Sequence, residues 1–268
     1  MKVLLCGLIK GGCGKTTTSV LVAKQLAERG FKILYIDFDS QMNGTEFIAL
    51  NSSVEPSAYL EKNIFKAIQE ESLKENIIML DDKIHIIAGS SWINQFELLM
   101  NQKKVKDRHL YIRRLLGELV KQKDYDFCIL DMSPSLSALN TSVQAAASHH
   151  IVTTESGYFS LKKVPEYINS IQSLQKRYNV PSTILGISIC LLDSRAAFEK
   201  KVVATLKQNF NGLVFETIVR RKALLKSYTA TGYPVKKYKK DIVALAEYSA
   251  LTDEILVRLK MKNNKVGV

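Results

Sequence analysis

Residues Val3 to Thr17 read as an apolar strand, a glycine-rich turn and the start of a helix, and that order constrains the fold more than any other feature of the chain. The turn is Lys10-Gly11-Gly12-Cys13-Gly14-Lys15-Thr16-Thr17. Glycines at 11, 12 and 14 let the backbone wrap closely around an anion, so that successive N–H groups point inward at the N-terminus of a helix. Lys15 then supplies positive charge to the β- and γ-phosphates of a nucleotide. The Thr16 hydroxyl can ligate magnesium, and the Thr17 hydroxyl is placed one position on to reach the α-phosphate. The alternative is a flexible glycine turn beside a surface lysine. A Gly-Gly-x-Gly-Lys-Thr match arises by chance on the order of once in a million start positions, and the strand-then-helix context argues further against coincidence. The strict GxxxxGK[ST] pattern fails at its first position, where the chain has Ile9, and a second lysine, Lys10, stands five residues before Lys15. We read residues 10–17 as a P-loop that binds ATP with Mg2+.

Along the remaining sequence, short runs rich in β-branched residues alternate with longer helical patterns. This predicts an α/β fold, a doubly wound, mostly parallel sheet with helices on both faces, as in P-loop NTPases. Predicted strands are Val3 to Leu8, Lys32 to Asp37, Lys83 to Ala88, Phe127 to Asp131, His150 to Thr154, Ile184 to Leu191 and Leu213 to Val219. Several are continuously apolar, as strands covered on both faces should be. Helical patterns cover Thr16 to Glu28, Arg108 to Lys123, Leu161 to Arg177, Phe198 to Gln208 and Asp241 to Lys260. With 268 residues and no repeat or low-complexity linker, residues 1–268 are expected to form a single P-loop ATPase domain, with 264–268 as a disordered tail. No apolar run is long enough to span a bilayer and no cleavable leader precedes the first strand, so a cytoplasmic location is expected. The four cysteines have no CxxC or CxxH spacing and read as buried thiols in a reducing compartment.

Two carboxylate sites complete the phosphate machinery. The buried strand Ile33 to Ile36 ends in Asp37-Phe38-Asp39, where period-two geometry puts both aspartates on one side near the strand's C-terminal end. In open α/β sheets that edge is where ligands bind. Phe127-Cys128-Ile129-Leu130-Asp131 is a second apolar strand ending in an acid, the pattern that positions a magnesium-linked carboxylate. Each aspartate taken alone could equally be a helix N-cap. The loop upstream favours the catalytic reading.

The Lys10 to Thr17 loop, the segment Asp37-Phe38-Asp39-Ser40-Gln41-Met42-Asn43 and the run Asp131-Met132-Ser133-Pro134-Ser135-Leu136 together resemble the ParA/Soj-type DNA-partitioning ATPases. These belong to a wider group with deviant P-loops that also contains MinD. Tyr158-Phe159-Ser160-Leu161 and Gly232-Tyr233-Pro234-Val235 also fall where that family has similar segments, so the resemblance covers nearly the whole chain. It implies that Lys10 is a signature lysine reaching across an ATP-dependent homodimer to the partner's phosphates. It further implies that Lys15 and Thr16 act within the subunit, that Asp39 positions or activates the attacking water, and that Asp131 holds Mg2+ through water with Asp37 as a supporting carboxylate. Three positions depart from the family pattern. Ser40 and Ser133 replace prolines, and Lys162 or Lys163 replaces a glycine, departures that bear on the turnover rate more than on nucleotide binding.

The net charge is +12, and between Arg195 and Lys240 twelve basic residues face only Glu199 and Glu216. Polyanions are the expected partners. By the resemblance, Arg195, Arg221, Lys222 and Lys226 sit nearest the family's DNA-contacting positions, for non-specific double-stranded DNA, with a nucleoid-associated location and a ParB-type centromere-binding protein as the trigger of hydrolysis. A solvated lysine-rich face is the plainer alternative. With no N-terminal helix-turn-helix before the first strand, sequence-specific operator binding is not expected. A MinD-like membrane-cycling ATPase is the rival reading, resting on the amphipathic run Ile255 to Lys262, and another DNA-bound cargo positioner is a third.

Overall fold

The computed structural model describes residues 1–193 and 196–261. Seven strands form one sheet in the order β3-β4-β2-β5-β1-β6-β7, with β1 Lys2–Gly7, β2 Ile33–Phe38, β3 Ile78–Met79, β4 Ile84–Ile87, β5 Phe127–Met132, β6 His149–Glu155 and β7 Thr183–Cys190. Every pairing is parallel except the two-residue edge strand β3 against β4. The expected doubly wound α/β architecture is therefore present.

Strand burial explains the sequence pattern. Leu4 and Cys6 of β1, with Ile33 and Tyr35 of β2, pack into one core layer with helices Lys15–Glu28 and Lys239–Arg258. Their strand neighbours Val3, Leu5, Leu34 and Ile36 pack into the opposite layer with Tyr111–Gln122 and Ala138–Ala146. Alternate residues feed alternate faces, and both faces are covered, so the strands have no polar side. The terminal helix buries Leu245, Tyr248, Thr252, Ile255 and Leu259, the stripe that its sequence period marks, and Thr252 Oγ1 bonds back to the Tyr248 carbonyl at 2.8 Å.

Two expected elements differ. The helix foreseen from Arg108 to Lys123 is two helices, Val105–His109 and Tyr111–Gln122, meeting at Leu110. The strand foreseen from Leu213 to Val219 is an irregular segment joined to β7 by isolated parallel bridges, Ile187 with Val214 and Leu192 with Arg220. Phe215 and Val219 still donate their N–H groups to the Ile187 and Ile189 carbonyls of β7, but between them side chains of the terminal helix engage the backbone. Arg258 donates to the carbonyls of Leu213 and Val214 at 2.8 and 3.0 Å, and Glu254 accepts from the N–H groups of Glu216 and Thr217 at 2.9 and 2.7 Å. With the Glu216 and Thr217 N–H groups satisfied by Glu254, the pairing with β7 is interrupted there and no regular strand forms.

Candidate functional site: a phosphate loop between two buried aspartates

The loop leaves β1 at the C-terminal edge of the sheet and turns into helix Lys15–Glu28. Gly12 and Gly14 make the turn with φ of 72° and 86°, the left-handed region in which a side chain is strained. The helix has no side-chain cap and no acid in its first turn, so its leading N–H groups remain available to an anion. Gly11, Gly12, Gly14, Lys15, Thr16, Thr17 and Asp39 line one open cleft of about 370 Å³. Asn43, which sequence reasoning did not single out, lines it too.

Lys15 is nearly buried, at 6% exposure, and its Nζ donates to the Lys10 carbonyl at 2.7 Å. Its ammonium is thus held inside the curl of the loop. Cys13 Sγ approaches the same carbonyl at 3.3 Å, and burial pushes this thiol's pKa up, so Cys13 serves the loop as a neutral packing residue. Lys10 points the other way. Its ammonium sits at the rim, ion-paired with Glu155 at the end of β6 and 5.8 Å from the centre of the Phe159 ring.

Below the loop, Asp37 of β2 and Asp131 of β5 are in register on adjacent strands, both with no exposed surface. Asp37 is fully engaged: Oδ2 accepts from the Thr45 N–H and hydroxyl at 2.8 Å each, and Oδ1 accepts from the Asp39 N–H at 2.9 Å. Met42, in the left-handed region at φ 57°, starts helix Asn43–Ala49 and so brings Thr45 under Asp37. Asp131 is only half engaged. Tyr35 donates to its Oδ2 at 3.1 Å, whereas Oδ1 is buried with no hydrogen-bond partner among the described residues. The Thr16 hydroxyl is close enough to lower its pKa. An orphaned carboxylate oxygen next to a phosphate-loop hydroxyl suits a hard cation such as Mg2+, which takes oxygen ligands and which Thr16 and Asp131 would hold. Gly44 guards this space: a Cβ there would stand 2.5 Å from the Tyr35 hydroxyl and 2.9 Å from Asp131 Oδ2.

Burial raises the pKa of both aspartates. Asp37 is pushed up to about 6, and Asp131, with Asp37 as a second cause, up to about 7. Asp39 lies at the cleft wall, partly exposed, with Oδ1 accepting from the Gln41 N–H at 3.0 Å. The loop beyond Asp131 lacks a first proline, yet Asn140 Nδ2 donates to the carbonyls of Ser133 and Ser135 at 2.8 and 2.6 Å and pins it.

The basic C-terminal third is less uniformly cationic than its sequence suggests, because packing brings acids from elsewhere. Glu247 pairs with Arg220 at 2.8 Å and Lys222 at 3.3 Å, and Glu28 pairs with Lys237. Lys222 also donates to the carbonyls of Val243 and Ala244 at 3.2 Å each, so it is tied to the terminal helix. Arg221 and Lys226 are exposed, and among the described residues no ion pair engages them. Arg195 lies outside the described residues.

The AAA domain family matches residues 1–184 of the 268. The chain belongs to this family. Within it the chain is of the ParA/Soj type. It is 28% identical over 250 residues to the chromosome-partitioning ATPase Soj of Treponema pallidum, covering 93% of this chain and 94% of that protein. Identity to the sporulation initiation inhibitor protein Soj of Bacillus subtilis is 29% over 234 residues, covering 85% and 88%. Among solved structures, the AAA domain chain superposes on cobyrinic acid a,c-diamide synthase of Mycobacterium smegmatis, solved with an ATP analog and magnesium, at a TM-score of 0.80 and 21% identity. That match covers 97% of this chain and 96% of the synthase. At that identity the likeness carries the fold alone.

Proposed function

We propose that this chain is a partition ATPase that dimerises on ATP, binds DNA without sequence preference, and is released when a ParB-type partner triggers hydrolysis. The observation that carries the reading is the division of labour between two lysines in one loop. Lys15 faces inward within its own subunit, and Lys10 faces outward at the rim. An outward lysine beside a phosphate loop has no phosphate of its own to neutralise, but it is suited to one presented by a second copy of the chain. The Soj relative of Treponema pallidum, named a chromosome-partitioning ATPase, supports the same assignment.

The chemistry follows from the residues. The helix N-terminus, Lys15 and Thr17 bind the phosphates, and Thr16 with Asp131 would hold Mg2+. That ion would neutralise charge on the β- and γ-oxygens. Asp37 takes no part in phosphate contact and instead fixes the Asp39 backbone, so that the Asp39 carboxylate can orient a water for attack on the γ-phosphate. Phosphoryl transfer asks for positioning and charge neutralisation more than for a covalent intermediate, and these groups supply both. Lys10 from a second subunit adds the missing cation, which makes a complete site depend on two ATP-loaded copies and turns ATP into a dimerisation signal.

For the membrane-cycling reading, the run from Ile255 would have to be free to lie on a bilayer. Ile255, Leu256 and Leu259 are instead buried against the sheet, and Lys262 lies outside the described residues. Among the described residues no helix is long and apolar enough to cross a membrane. The deciding experiment is sedimentation of the full chain with ATP and magnesium, with and without duplex DNA of unrelated sequences. ATP-dependent dimers that bind every duplex alike support the proposal. ATP-dependent lipid association with no DNA binding at low salt would replace it by the membrane reading.

A further inference from the structure

Lys10 and Glu155 are far apart in sequence and meet at the rim of the phosphate loop. Glu155 is the last residue of β6, the strand beside β1, so the sheet delivers its carboxylate to the mouth of the loop. Its backbone is held there: Ser160 Oγ donates to the Glu155 carbonyl at 2.6 Å, and Thr154 Oγ1 to the same oxygen at 3.3 Å. The carboxylate also fills the space next to Gly157, where a Cβ would stand 2.8 Å from Glu155 Oε1. The Phe159 ring flanks the ammonium. Both side chains of the pair are about three-quarters covered, at 24% and 29% exposure, so water only partly screens it.

The geometry points to Glu155 as a positioning residue that holds Lys10 within its own subunit and thereby sets the threshold for ATP-driven dimerisation. This rests on the two-subunit reading above and concerns the regulation of that site. One ammonium cannot rest on a carboxylate of its own chain and on a phosphate of another. The partner's nucleotide must compete with Glu155, and a triphosphate, with more charge than a diphosphate, competes better. Two such contacts open for each dimer formed. If each biases the equilibrium about threefold, within the range of partly exposed ion pairs, the dimer dissociation constant carries a factor of about ten.

The test uses the full chain and two readouts. In the nucleotide-free protein, acylation of lysines by a small amine reagent, read by peptide mass spectrometry, should modify Lys10 several-fold faster in Glu155→Gln than in wild type. The buried Lys15 should be unchanged and serve as the internal control. With a non-hydrolysable ATP analogue and magnesium, Glu155→Gln should tighten dimerisation about tenfold and extend it to ADP, Glu155→Asp should fall between, and Lys10→Ala should remove dimers in either background. Equal Lys10 labelling in both proteins would mean that the contact does not restrain Lys10, which overturns the inference. Faster labelling with unchanged or weaker dimerisation would overturn it as well, since Glu155 would then support Lys10 rather than withhold it. Faster labelling in Glu155→Gln, together with a wild type that forms no dimer at any concentration, would sink the two-subunit reading itself, and the regulatory role with it, while leaving the contact established.

Discussion

Asp37 and Asp131 stand opposite each other on adjacent parallel strands, buried side by side under the phosphate loop, yet only Asp37 has both oxygens hydrogen-bonded. Burial is the main reason both pKa values rise, with the charge of Asp39 adding to the rise at Asp37 and that of Asp37 to the rise at Asp131. The folded chain therefore keeps protons that the unfolded chain has released. Below about pH 4 both states are protonated and nothing is at stake. As pH climbs from there toward 7, the unfolded state ionises first and folding loses stability.

The first prediction follows directly. In metal chelator and without nucleotide, the wild-type melting temperature should fall between pH 5 and pH 7.5, and Asp131→Asn should flatten that fall. At pH 7.5 the variant should melt several degrees higher, taking about 2–4 °C per kcal/mol for a chain of this size. Magnesium added to ATP should raise wild type further than ATP alone and add little for the variant, whose phosphate loop is intact but whose metal carboxylate is gone. Other groups titrate in this range, but the difference between the two curves isolates the pair. Parallel curves would show that the carboxyl pair is not the source.

A second prediction separates the two lysines. Lys15→Ala should weaken ATP binding about a hundredfold, because contacts to a charged partner are each worth about 1.5–3 kcal/mol. Lys10→Ala should bind ATP nearly as well as wild type, since its ammonium points away from its own cleft, and yet remain monomeric and inactive. Isothermal titration and sedimentation on the same samples distinguish the two, and an ATP-dependent dimer persisting in Lys10→Ala would remove Lys10 from the shared site.

Asp39→Ala, the third test, removes the carboxylate at the cleft wall and leaves the loop and the buried pair in place. Turnover should drop by about 10²- to 10⁴-fold, the usual range for a group that orients or activates water. The ATP-bound dimer should then accumulate. Because Asp37 is engaged by Thr45 and the Asp39 N–H, it is not free to substitute, so near wild-type hydrolysis would point to a water held by groups outside this pair.

Most of this site was legible because it obeys local rules. Gly11 to Thr17 must lie between a strand and a helix, and an acid closing an apolar strand must reach the sheet's C-terminal edge, so Lys15, Thr16, Asp39 and Asp131 follow from the order of residues. Asn43 stood in a recognised segment without a role and Thr45 was hidden, because both join the site only through the left-handed turn at Met42, which a non-glycine residue does not advertise. Glu155 was hidden for another reason: its partner is 145 positions away, and only the strand order β1-β6 brings the two together. The same long-range packing misled the charge reading. Counting residues 195 to 240 could not reveal that Glu247 and Glu28, from outside that window, would pair with Arg220, Lys222 and Lys237.

That correction sharpens the prediction for DNA. If each subunit neutralises about three phosphates, the dimer's affinity for duplex should fall with a log–log salt slope of roughly −5, at −0.9 per phosphate of B-DNA. Arg221 and Lys226 are exposed without an ion pair among the described residues and can reach phosphate at no internal cost, so replacing both with alanine removes about four contacts per dimer and should leave a slope near −2. All sequences should weaken alike, because phosphate contacts carry no base information. Lys222→Ala should behave differently. Its amino group is committed to Glu247 and to two carbonyls of the terminal helix, so its loss should lower the melting temperature while changing the salt slope little. Filter binding over a salt series with the three proteins, alongside their thermal melts, reads both effects at once. If Lys222→Ala flattened the slope as much as the double variant and left stability untouched, Lys222 would have to exchange its internal partners for phosphate on binding. The DNA face would then include the start of the terminal helix, where Lys239 and Lys240 stand exposed.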